Sequence, residues 1–146
     1  MNSLMNLKIA VDFDGTIVEH AYPAIGKEKM FAFYTLRELQ KQGALLILWT
    51  FRCGKELQEA LDYCKANGVE FYAVNKSYPE EDFDEKTVSR KIKADVYKDE
   101  KNVGGFPGWG EVWQMLSPEG QMFDPSKYKS SKKGFFNRLK SIGRDK

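Results

Sequence analysis

An α/β fold with a doubly wound parallel sheet is what this sequence predicts, and three observations carry the prediction. Strand-type apolar runs alternate with helix-type periodic segments along residues 7–116. The apolar runs are short and near-continuous, as in strands covered on both faces. Carboxylates, a hydroxyl and basic side chains gather around the ends of those runs, where open α/β sheets bind their ligands.

The elements follow in order. Leu7-Lys8-Ile9-Ala10-Val11 reads as a buried first strand, and Asp12-Phe13-Asp14-Gly15-Thr16 follows it directly. Two carboxylates therefore leave the sheet together, and the glycine allows a sharp turn behind them. Acidic groups at the end of a core strand are unfavourable unless a metal, protons or hydrogen bonds compensate them. Residues 17–26 lack helical periodicity and read as a short flap carrying His20, the single histidine. A helix is expected over 27–42, with Ala32, Phe33, Leu36 and Leu39 inward and Gly43 as its stop. Residues 44–49 form a second strand, 54–67 a second helix ended by Gly68, and 71–74 a third strand. Residues 75–90 are polar and irregular. A fourth strand is placed at 94–97. After a glycine-rich loop, Trp109, Val112, Trp113 and Leu116 mark one face of a last helix.

Composition bounds the rest. At 146 residues, 42% hydrophobic and 30% charged, the chain is read as one globular domain over 1–125 with a basic tail over 126–146. The tail carries a balance of +7, so the net charge of +2 leaves −5 on the first 125 residues. In the tail, Phe135, Leu139 and Ile142 stand among lysines and arginines at helical spacing, which leaves nucleic acid open as a partner without favouring it. No stretch approaches the roughly 20 apolar residues of a membrane span, and the start lacks a leader pattern. Cys53 and Cys64 lack metal-ligand spacing and read as reduced thiols, so a cytoplasmic protein is expected.

The residues beyond the strands define the chemistry. Asp12 and Asp14 follow the first strand, Thr50 the second, and Asp99 and Glu100 the fourth, with Lys91 and Lys93 just ahead of the fourth. Two to four carboxylates, a hydroxyl and a lysine on one rim suit a hard cation and a phosphoryl group. The chain here resembles the haloacid dehalogenase (HAD) superfamily of phosphohydrolases, whose first motif, Asp-x-Asp-x-Thr after the first strand, Asp12-Phe13-Asp14-Gly15-Thr16 matches in full. The second motif lands on Thr50, the third on Lys91 with Lys93 as its rival, and the fourth on Asp99 and Glu100.

The resemblance implies a Rossmann-like core without a separate cap domain and a Mg²⁺-dependent phosphomonoester hydrolase. Asp12 would attack phosphorus to form an aspartyl phosphate, and Asp14 would act as acid and then base. Asp12, Asp14 and Asp99 would hold Mg²⁺, Asp14 through its backbone carbonyl. Glu100 departs from the second aspartate usual in the fourth motif, and Lys98 from the apolar residue before it. Arg52, two residues past Thr50, is expected to grip a second anionic group on the phosphorylated substrate, and Lys93 is its companion there.

Other readings stay open on the sequence. Thr50 also suits a helix N-cap. A phosphoacceptor module gathers similar groups, but around a middle strand. A non-catalytic binding protein and a nucleic-acid end phosphatase complete the set, and an oligomer is compatible with all of them.

Overall fold

The computed structural model describes residues 4–117; the basic tail expected over 126–146 lies outside them. Four strands, β1 (Lys8–Val11), β2 (Leu45–Leu48), β3 (Ala73–Val74) and β4 (Val96–Lys98), make one parallel sheet in the order β3-β2-β1-β4. Three helices, α1 (Ala32–Lys41), α2 (Gly54–Ala66) and α3 (Trp109–Leu116), complete the described elements. The order changes direction at β1, which pairs Ile9 with Leu46 on one side and Val96 on the other. That reversal opens a crevice at the carboxyl end of β1, where Asp12 begins.

The period of two along each strand separates two cores. Ile9, Val11, Leu46 and Leu48 pack with Phe33, Leu36 and Leu39 of α1, Ala60 and Cys64 of α2, and Trp109, Val112 and Trp113 of α3. Ala10, Ile47 and Ala73 face the other way and pack with Ile92, Trp49, Tyr72 and Tyr97. All three described helices thus feed one cluster. The irregular chain between β3 and β4 supplies Ile92 to the other.

One expected boundary shifts for a visible reason. The first helix begins at Ala32 rather than 27, because residues 27–29 are spent on the flap. Glu19 N–H donates to the Lys27 carbonyl at 2.7 Å and Lys29 N–H to the Ile17 carbonyl at 2.8 Å. Phe31 then takes a left-handed φ of 66°, and the Glu28 carboxylate accepts from Phe33 N–H at 3.1 Å. Among the described residues, no helix is long and apolar enough to cross a membrane.

The two thiols differ sharply. Cys64 is fully buried and burial pushes its thiol up to about 12, whereas Cys53 is exposed at the start of α2. Only the thiolate reacts with alkylating agents. At pH near 8, iodoacetamide should therefore add to Cys53 in the native protein and to Cys64 only after denaturation, read by mass spectrometry. Equal labelling rates would contradict this core.

Candidate active site

The turn after β1 is held by bonds the sequence itself dictates. Asp12 N–H extends the ladder to β4 by donating to the Lys98 carbonyl at 2.9 Å. The Phe13 carbonyl then accepts from the N–H groups of Thr16, Ile17 and Val18 at 3.2, 2.9 and 3.2 Å, closing a tight loop. Gly15 sits at φ 83°, and a Cβ there would lie 2.0 Å from Glu100 Cδ. The left-handed backbone conformation therefore requires glycine, and a side chain there would also displace the Glu100 carboxylate.

Thr16, fully buried, joins three elements. Its Oγ1 donates to Asp12 Oδ2 at 3.1 Å and accepts from Glu100 N–H at 3.1 Å. Its carbonyl accepts from Trp109 Nε1–H at 2.8 Å. The hydroxyl thus orients the Asp12 carboxylate while tying the loop to the chain after β4 and to α3.

Asp14 and Arg52 form a buried bidentate pair. Arg52 Nε donates to Asp14 Oδ2 and Nη2 to Asp14 Oδ1, each at 2.7 Å, with both side chains shut off from solvent. The remaining guanidinium N–H groups reach the carbonyls of Ala24 at 2.8 Å, Pro23 at 3.1 Å and Glu56 at 3.4 Å. All five donors of the guanidinium are thereby engaged. Its Cζ also lies 5.0 Å from the Phe13 ring centroid and 5.1 Å from that of Tyr22. The bond to Asp14, ahead of any other influence, holds the guanidinium above its ordinary titration range.

Thr50 is fixed from two sides: its N–H donates to Asn75 Oδ1 at 2.8 Å, and its Oγ1 accepts from Arg52 N–H at 3.1 Å. The N-cap of α2 is Cys53, so Thr50 is not its cap. Asn75 holds that contact from a left-handed φ of 52° just after β3.

These groups meet at a cavity of about 350 Å³ beyond the strand ends. Asp12, Asp14, Thr50 and Asp99 line it, together with Glu100, Lys101, His20, Trp49 and Phe51. Burial pushes the Asp12 carboxyl up to about 7, and the negative charge of Asp99 adds to the effect, against hydrogen bonds that favour the ion. A nearby positive charge would favour the ionised form of such a carboxyl. Two carboxylates suit Mg²⁺, which fills its remaining positions with water and phosphate oxygens. Among the described residues, no three His, Cys, Asp or Glu side chains are grouped as a full metal cage.

The positions of the expected residues divide cleanly. Asp12, Asp14, Thr50 and Asp99 come together. Arg52 does not face the pocket as a substrate grip; burying it against Asp14 is the stronger use of its five donors. For the same reason both oxygens of the Asp14 carboxylate are taken up by the guanidinium. Lys91 and Lys93 are exposed and absent from the cavity wall: the Lys91 ammonium lies 5.7 Å from the Tyr97 ring centroid, and Lys93 N–H donates to Ser77 Oγ. The lysine that lines the cavity among the described residues is Lys101. Sequence reasoning passed over Lys101, Trp49 and Phe51, although each stands one or two residues from Asp99 or Thr50, at the carboxyl end of a strand.

No family model matches this chain, and no curated protein does. Among solved structures, it is similar to a conserved protein from Bacteroides thetaiotaomicron, with 54% identity over 76% of this chain and 89% of that one, and a TM-score of 0.71. The chain belongs to the family of that conserved protein.

Proposed function

We propose that this protein is a Mg²⁺-dependent phosphomonoester hydrolase of the HAD superfamily, built on a Rossmann-like core without a separate cap domain and working in the cytoplasm. One observation carries the reading: Asp12, Thr50 and Asp99 share one cavity at the point where strand order reverses, and the Asp12 carboxyl is raised to about 7 beside Asp99. Asp12, Asp99 and the Asp14 carbonyl would hold Mg²⁺, which supplies positive charge to phosphoryl oxygens and to the carboxylates.

This chain's residues then divide the work. The Thr16 hydroxyl orients Asp12, whose other carboxylate oxygen forms the bond to phosphorus as the ester P–O bond breaks. Thr50 Oγ1 and the Lys101 ammonium donate to phosphoryl oxygens as charge shifts onto them. Asp14 gives a proton to the departing alcohol oxygen and takes one from the water that next cleaves the aspartyl phosphate, releasing inorganic phosphate. For that it must first part from Arg52 and acquire a proton. Since Arg52 also holds the Pro23 and Ala24 carbonyls, displacement of the flap is the movement that frees it.

Incubation with an aryl phosphate tests the reading. Turnover that requires Mg²⁺ and stops with EDTA is the expected result. A stable acyl phosphate without turnover would instead make the chain a phosphoacceptor module, and neither outcome would leave a binding protein.

A further inference from the structure

From the walls of the same cavity we infer that the phosphorylated substrate carries a planar aromatic or heteroaromatic group close to its phosphate, as a nucleotide does. The inference rests on the hydrolase reading and names its substrate class. It begins with an exclusion. The sequence offers Arg52 for a second anionic group, but all five of its donors are engaged and its side chain is 1% exposed. Among the described residues, Lys101 is the only Lys or Arg lining this cavity, and its ammonium lies 3.8 Å from Glu100 Oε1. A bisphosphate or other polyanion finds no second cationic site among the described residues of this wall.

What the wall offers instead is flat. His20, Trp49 and Phe51 line the cavity, and the latter two flank Thr50 in the chain, so they stand beside the group that contacts phosphate. Phe51 is 61% exposed and stands beside Tyr22, itself 43% exposed, so the two rings present an open aromatic face at the cavity. The Phe51 ring is nevertheless held in place, edge-to-face with Tyr22 at 4.9 Å, and Tyr22 in turn lies against Arg52. Trp49 is held likewise by Tyr97 at 5.3 Å. Rings fixed in advance lose little conformational freedom when a ligand stacks on them. A cavity of about 350 Å³ is at the small end of ligand sites and suits one mononucleotide unit. That unit can be a free nucleotide or the terminus of an oligonucleotide.

The test compares kcat/KM in Mg²⁺ for adenosine monophosphate, an end-phosphorylated oligonucleotide and glycerol phosphate, in wild-type protein, Phe51→Ala and Phe51→Tyr. Calorimetry on Asp12→Asn protein with Mg²⁺ measures the affinities of adenosine monophosphate and glycerol phosphate without turnover. Wild-type protein should prefer the nucleotides, and Phe51→Ala should shrink that preference about tenfold, the usual effect of losing one stacked ring. Phe51→Tyr should keep it, with thermal melts confirming that both variants fold. The better of the two nucleotide substrates identifies the source of the ring. No preference for nucleotides, or a preference untouched by Phe51→Ala, would overturn the inference while leaving the hydrolase reading intact. Selective binding without turnover of any substrate would do the reverse.

Discussion

Asp12→Asn is expected to abolish phosphatase turnover and, in the same molecule, to raise the melting temperature of the metal-free protein. The loss should be at least about a thousandfold, because the amide cannot attack phosphorus and the residual rate comes from binding and positioning alone. The gain follows from proton linkage. Folding raises the Asp12 carboxyl from 3.8 to about 7, through burial first and the charge of Asp99 second. The folded state therefore holds this proton more tightly than the unfolded chain does. Its contribution to stability is complete below the unfolded value and is lost as pH rises through about 7. At pH near 8 the ionised carboxylate opposes folding by an amount on the order of a few kcal/mol, which the neutral amide removes. The amide oxygen still accepts the Thr16 hydroxyl, so the loop keeps its bolt. Thermal melts with EDTA should thus place the variant above wild type near pH 8 and level with it near pH 4. Adding Mg²⁺ should close the gap at pH 8 by stabilising wild type more. A variant that retains turnover removes Asp12 as the nucleophile, and one that melts with wild type at every pH removes the buried, repelled carboxylate.

What the sequence reveals and what it hides follow one physical division. Features set by neighbours in the chain were legible. The apolar run of β1 and the Trp109-Val112-Trp113 face of α3 are local patterns, and both are buried as expected. The turn at Gly15 is equally local. Features set by partners far along the chain were not. Nothing near Arg52 announces that its partner is Asp14, 38 residues earlier, or that the Pro23 and Ala24 carbonyls complete its bonds. The spacing around Glu28 predicts helix, yet backbone bonds of residues 27 and 29 to the flap hold that stretch out of α1. Lys91 and Lys93 had the right type and position for a site lysine. Their segment, however, is used to cover the Ala10-Ile47-Ala73 face through Ile92, which leaves both ammonium groups outside the cavity.

The pairing of Arg52 with Asp14 leads to a second large effect: Arg52→Met should destabilise the protein by about 3–5 kcal/mol, the usual range when one partner of a buried ion pair is removed. Asp14 would be left as a carboxylate 2% exposed with its guanidinium gone, and the Pro23 and Ala24 carbonyls would lose the donor that holds the flap. For a domain of this size the melting temperature should fall by roughly 10–20 °C. Arg52→Lys should recover only part of the loss, since one ammonium cannot span both carboxylate oxygens and the flap carbonyls together. Adding Asp14→Asn to Arg52→Met should also recover part, because it removes the stranded charge, and a double-mutant cycle measures that coupling directly. A grip on substrate would behave otherwise: Arg52→Met would then raise KM, leave the melting temperature unchanged, and show no coupling to Asp14→Asn. The two outcomes differ in which quantity moves, so melting curves of four proteins decide between an arginine that holds the site together and one that reaches for its ligand.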